Sequence, residues 1–267
     1  MGNPRGVSAK RRILPDAELV KVLCTVLLAF LATLTPGRSA ADEIRVAVAS
    51  NFRDTMTALV RQFEQASEYE VALIFGSSGK QFAQIRNGAP FDAFFSADIE
   101  RPELLELDGL AVPGSRFTYA VGKLVLWSPR AGYVDPDGNI LGRGDFAHLA
   151  IANPGLAPYG RAARETLEAL GLWNQFGKRL VRGENIGQAF QFVNSGNAEL
   201  GLVAWSQLRR NDAAIGGSYW LVPGHYYSPI EQQAILLQDT VAARMFMSFI
   251  RSEDSARIIR AHGYELP

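Results

Sequence analysis

The sequence predicts an α/β protein of two lobes, each a mostly parallel sheet flanked by helices, with a ligand cleft between them. Three observations predict it. Short apolar runs alternate with amphipathic stretches from residue 44 nearly to the end of the chain, the pattern of strand–helix units around parallel sheets. The length, 267 residues, allows two cores. The series breaks at Pro113-Gly114-Ser115 and restarts, then closes with further strands and a helix, so the chain crosses between lobes twice, near Tyr119 and near 223–226.

Composition narrows the class. With 48% hydrophobic and 20% charged residues, the chain is neither disordered, collagen-like nor a coiled coil. Lys+Arg and Asp+Glu both number 27, so no nucleic-acid or membrane-surface partner is indicated. One Cys excludes an intramolecular disulfide, and with three His it leaves little for a soft-metal site.

Residues 1–41 carry Arg5, Lys10, Arg11 and Arg12, then an apolar run over 22–34, then Ser39, Ala40 and Ala41. A basic start, a short apolar stretch and a small-residue exit make a secretory signal peptide. The run is shorter than the roughly 20 residues of a membrane span. Six basic and two acidic residues leave with it, which turns a balanced charge into −4. An exported protein of the bacterial periplasm is expected.

Strands are then expected at 44–49, 71–75 and 91–96, with helices at 55–66, 80–86 and 102–107: the βαβαβ half of a doubly wound sheet. In 55–66 the apolar positions Met56, Leu59, Val60 and Phe63 have helical spacing. The second lobe is expected to hold strands at 122–127, 149–151, 179–182 and 200–204 and helices at 161–170 and 188–194. Strands at 220–222 and 233–238 and a helix at 241–248 close the chain. The first lobe is thus 42–119 plus 226–267, the second 120–225.

In open α/β sheets ligands lie beyond the carboxyl ends of strands, at helix N-termini. Four junctions stand out: Ala49-Ser50-Asn51-Phe52, Phe75-Gly76-Ser77-Ser78-Gly79-Lys80, the turn from Asn153 to Gly160, and Gly183-Glu184-Asn185-Ile186-Gly187-Gln188. Each offers backbone N–H groups, and the first two add hydroxyls or an amide. Singly, each matches plain helix capping; two per lobe facing one cleft make a site.

These residues carry a resemblance. Val46-Ala47-Val48-Ala49-Ser50-Asn51, Phe75 to Lys80, and Asn87-Gly88-Ala89-Pro90-Phe91-Asp92 resemble the periplasmic molybdate-binding proteins of ABC transporters. Pro158-Tyr159-Gly160-Arg161 and Gly201-Leu202-Val203-Ala204 extend the likeness into the second lobe. The resemblance implies a periplasmic-binding-protein fold, molybdate or tungstate as ligand, no cofactor, no bare metal cation, and a membrane permease as partner of a monomer. It implies Ser50 and Ser78 as ligands through hydroxyl and N–H, Asn51 as a donor from the same turn, and the backbone N–H of Tyr159 and Ile186. The Tyr159 hydroxyl is left open as a further contact. Many relatives place a Tyr where this chain has Ala204.

A tetrahedral dianion has only acceptors, so its neighbours should all be donors, and no carboxylate stands in the Ser50, Ser78 or Tyr159 turns. Lys80 and Arg161 read equally as solvated helix-face cations or as screening charges. Other readings stay open: a sulfate or phosphate binder, a ferric-ion binder using His225, Tyr226 and Tyr227, an adhesin-like protein that has lost its site, or a serine hydrolase pairing Ser50 or Ser78 with His148 or His225. No Gly-x-Ser-x-Gly elbow supports the hydrolase.

Overall fold

The computed structural model describes residues 43–209 and 215–267, besides Gly2. The export segment expected over 1–41 lies outside the described residues, apart from Gly2. Among the described residues no helix is long and apolar enough to cross a membrane.

The chain opens with β1 (Glu43–Ala49), a 3₁₀ turn (Ser50–Phe52), α1 (Arg53–Ala66), β2 (Glu70–Gly76), α2 (Ser78–Arg86), β3 (Ala93–Phe95), α3 (Glu100–Leu107) and β4 (Phe117–Gly122). It crosses into β5 (Leu124–Ser128), α4 (Ile140–Arg143), β6 (Leu149–Ala152), α5 (Pro158–Ala169), β7 (Leu180–Gly183), α6 (Ile186–Asn194), β8 (Leu200–Ala204) and β9 (Ser218–Leu221). It returns as β10 (Ile230–Leu236), α7 (Val241–Ile250) and α8 (Glu253–Ala261).

Two five-stranded sheets result, in the orders β2-β1-β3-β10-β4 and β7-β6-β8-β5-β9. In the first, β1 pairs in parallel with β2 and β3, and β10 runs antiparallel to both β3 and β4. In the second, β6 is parallel to β7 and β8, and β5 is antiparallel to β8 and β9. Each sheet is therefore parallel except for one reversed strand, and that strand is the first after a crossing between lobes.

The sheets are covered on both faces, and the side-chain period of two sorts the cores. Along β1, Ile44, Val46 and Val48 join a cluster with α1 and α7, while Ala47 faces a second cluster with Phe94 and Leu105. In the other lobe Leu124 and Leu126 face one core, Val125 and Trp127 the other. The predicted stripe of α1, Met56, Leu59, Val60 and Phe63, is buried, and each such side chain contributes about 1.5–3 kcal/mol.

Several boundaries differ from expectation. The strand expected over 122–127 begins at Leu124, and a strand that was not expected, β4, precedes it, with Ala120 and Gly122 paired to Gln232 and Ile230 of the first sheet. The first crossing therefore falls at Lys123, not after Tyr119. The last strand begins at Ile230, not at 233, and α8 follows the helix expected to close the chain. Gly122 is required by close approach, since a Cβ there would lie 2.0 Å from the Tyr159 hydroxyl oxygen.

Candidate functional site

The carboxyl ends of β1 and β2 in one lobe, and of β6 and β7 in the other, occupy equivalent places in the two strand orders. From them the four junctions lead into helices. Phe52, wholly buried, anchors the first turn between the rings of Tyr119 and Tyr264, at centroid distances of 4.7 and 5.1 Å. Ser77 caps α2 and Asn185 caps α6 by accepting from Lys80 N and Gln188 N. Pro158 opens α5, where a missing N–H costs nothing. Ser78 and Ile186 are then first, and Tyr159 second, in their helices. The earliest N–H groups of a helix have no intrahelical partner.

Pairs of turns meet across the cleft. Ser50 Oγ accepts from Gly187 N at 3.3 Å, joining the first turn to the Ile186 turn. Gly79 N donates to Leu156 O at 2.8 Å, joining the second to the Tyr159 turn. Ser78 Oγ accepts from Ala97 N at 2.9 Å. Each serine oxygen thus receives a bond from a backbone amide, which leaves its hydrogen to donate. All five expected residues, Ser50, Asn51, Ser78, Tyr159 and Ile186, are buried.

The Asn51 side chain is engaged within the protein. Its Nδ2 donates to Gln232 Oε1 at 2.7 Å and to Tyr264 OH at 2.9 Å, so both amide hydrogens are spent inside the protein. Its carbonyl oxygen accepts from Tyr264 OH and Ser206 Oγ. The side chain holds the turn; its backbone N–H is what remains for a ligand. Tyr159 OH accepts from Gln232 Nε2 at 3.4 Å. Burial pushes the Tyr159 phenol well above its usual value of 10, which keeps it a neutral donor.

Gln232, Tyr264, Tyr119 and Ser206 complete the constellation, and no local motif marks them. They come from β10, the C-terminal segment, β4 and a 3₁₀ turn, and meet only through the topology. The one signal is the period of two, which puts Gln232 on the same face of its strand as Ile230 and Ala234.

Charge is arranged around the site without entering it. Asp98 is buried, but its carboxylate is held by Arg101 and the Ser96 hydroxyl, with Arg161 at 4.0 Å. Lys80 pairs with Glu184 of the other lobe at 3.1 Å, and Arg161 with Glu100 at 3.2 Å. These exposed pairs bridge the lobes and are worth little individually. A cavity of about 440 Å³ opens at the Ser50 turn, lined by Ser50, Asn51, Arg53 and Asp54 of one lobe and by Gly187 and Gln188 of the other.

The competing sites are not assembled. The bonds recorded for the Ser50 and Ser78 hydroxyls go to backbone amides, while His225 packs on Tyr226 at 4.2 Å and His148 donates its N–H to Glu199. Tyr227 OH accepts from Leu124 N in the return crossing. Among the described residues no group of three His, Cys, Asp or Glu could hold a metal ion.

Comparison with known proteins gives a consistent picture. The bacterial extracellular solute-binding protein family matches residues 44–265. The molybdate-binding protein ModA of Azotobacter vinelandii is 46% identical over 247 residues, 91% of this chain and 98% of that one. ModA of Rhodobacter capsulatus is 43% identical over 229 residues, 85% and 89% of the two chains. The solved periplasmic molybdate-binding protein of Azotobacter vinelandii superposes with a TM-score of 0.82 at 44% identity, covering 84% of this chain and 99% of that chain.

Proposed function

The chain belongs to the bacterial extracellular solute-binding proteins and, within them, to the periplasmic molybdate-binding proteins, and from that premise we propose that its four-turn cleft takes molybdate, and tungstate equally, in the periplasm for delivery to an ABC permease. The family is one of solute-binding transport proteins, not of enzymes. The observation that carries the reading is the polarity of the cleft: four helix-opening turns, two from each lobe, meet with hydroxyls whose oxygens already accept a bond and with no carboxylate left unpaired among them. Such a lining suits a ligand that only accepts.

In this reading Ser50 and Ser78 donate hydroxyl and N–H, and Asn51, Tyr159 and Ile186 donate N–H. Charge-assisted bonds contribute about 1.5–3 kcal/mol each. Six or seven offset the ion's desolvation and leave about −8 to −12 kcal/mol, micromolar to nanomolar affinity. Sulfate has the same shape and charge, so discrimination comes from size, a cavity of fixed turns losing contacts around the smaller ion. Tungstate, nearly the size of molybdate, fits as well. Removal of the export segment places the protein in the periplasm, and closure around the ion makes the shape that a permease reads.

A thermal-shift panel tests this. Molybdate or tungstate at about a thousand times its Kd stabilises by about 4 kcal/mol, and should raise Tm by about 10 °C. Sulfate, phosphate and ferric citrate at equal concentration should leave it nearly unchanged; a larger shift with any of them overturns the assignment. Ser78→Ala should weaken molybdate binding by about 1–3 kcal/mol in calorimetry, the cost of one unmet buried bond.

A further inference from the structure

We propose that Gln232 is a positioning residue that sets the hydrogen-bond polarity of two site residues on opposite lobes, Asn51 and Tyr159, and so keeps the closed cleft receptive to an anion; this rests on the oxyanion reading above. Gln232 lies on β10, the strand that returns the chain to the first lobe, with no exposed surface. Its Oε1 accepts from Asn51 Nδ2 at 2.7 Å and lies 3.1 Å from Tyr119 OH, whose single hydrogen also faces Ser96 O at 3.1 Å. Asn51 fixes which end of the amide is which: Tyr264 OH gives its hydrogen to the Asn51 backbone carbonyl and accepts from Nδ2, so the same NH₂ group must donate to the Gln232 oxygen. Nε2 therefore faces the second lobe and donates to Tyr159 OH at 3.4 Å.

A phenol that accepts from an amide keeps its own hydrogen for another acceptor. Tyr159 is packed so that its oxygen fills the space beside Gly122, where a Cβ would stand 2.0 Å away. Held there, and accepting from Gln232, it offers a hydrogen to the cleft and not a lone pair. At the other end, Gln232 shares with Tyr264 the task of fixing Asn51, whose turn carries Ser50. One buried amide thus links the two lobes at the moment they shut and assigns donor character to both sides.

Gln232→Glu replaces one NH₂ by oxygen at constant shape. Burial raises the introduced carboxyl's pKa. Ionised, it can only accept, so it draws the Tyr159 hydrogen to itself and adds negative charge beside the ligand. Protonated, it accepts from Asn51 and donates to Tyr159 as the glutamine does. The titratable groups around it are Tyr119, Tyr159 and Tyr264, with Asp98, Asp54 and Tyr227 behind them; all are present in the wild-type protein, whose own profile removes their part.

In calorimetry with micromolar molybdate, Gln232→Glu should bind at least about tenfold more weakly than wild type near pH 8, the gap closing toward about pH 5.5. An equal loss at both pH values, or none, overturns the proposal. Gln232→Met and Tyr159→Phe give a second measure that needs no carboxylate: combined, they should weaken binding no more than the stronger single change, because each breaks the same link. Additive losses also overturn it. A wild-type protein that binds no molybdate would instead remove the oxyanion reading itself.

Discussion

Ser50→Asp is expected to abolish oxyanion binding while leaving the protein folded. Ser50 opens the 3₁₀ turn that runs into α1, and its Oγ already takes the N–H of Gly187 from the opposite lobe. A carboxylate about 4 Å from a dianion is opposed by about 8 kcal/mol at an effective dielectric near 20. That removes most of the roughly 8–12 kcal/mol of micromolar-to-nanomolar binding. The fold has no reason to suffer, because aspartate is among the favoured residues at a helix N-terminus and interacts well with its dipole. The introduced group can itself accept from Gly187 N and imitate the ligand. The unliganded Tm should therefore hold or rise while calorimetry with molybdate shows no heat of binding at micromolar concentration. Retained micromolar affinity would place the ligand elsewhere in the cleft.

The same contrast between local field and total charge resolves an apparent conflict. A chain carrying −4 without its first 41 residues would take up a dianion poorly if net charge governed binding. Over a Debye length of about 8 Å at physiological salt, distant surface charges are screened. The dipoles of four helix N-termini are not distant. They supply a positive potential where the turns meet, and the buried carboxylate of Asp98, next to the Ala97 amide that bonds Ser78, is neutralised by Arg101 and faced by Arg161.

What the sequence disclosed and what it withheld follow from the range of the interactions. The four site turns were legible because each is local: a strand end, a small or polar residue, a helix start. Ser50, Ser78, Tyr159 and Ile186 were singled out within those turns by the family likeness, not by the local pattern. The bonds that hold the Asn51 side chain were not legible, because its partners, Gln232 and Tyr264, lie 181 and 213 residues away. No window around residue 51 contains them. Strand β4 was not anticipated: its pairing is with β10, more than 100 residues away, and only one residue, Lys123, separates it from β5. Helix α8 carried a good signal in Ser252, whose Oγ accepts from Ser255 N, with Glu253 and Asp254 in the first turn. Its buried face is narrow, Ser255 and Ile259, and no element was expected there.

Gly79→Val should give two folded lobes that cannot close. Gly79 N donates to Leu156 O across the cleft at 2.8 Å, and a Cβ at this position would stand 2.8 Å from that same oxygen and 3.1 Å from Leu156 Cα. Both atoms are backbone, so no rotamer change relieves the collision; one lobe must retreat. With the lobes apart the position faces solvent, and valine is tolerated in a helix at least as well as glycine. The penalty therefore falls on the closed form alone. An anion held by the Ser50 and Ser78 turns loses the N–H groups of Tyr159 and Ile186, about 1.5–3 kcal/mol each, so affinity should fall by about 10²–10⁴. Calorimetry reads that loss, and small-angle scattering reads its cause: molybdate should shrink the wild-type protein and leave the variant's radius of gyration unchanged. If the variant bound as tightly as wild type, half of the cleft would be dispensable, and the ion would be held by one lobe's turns without the other.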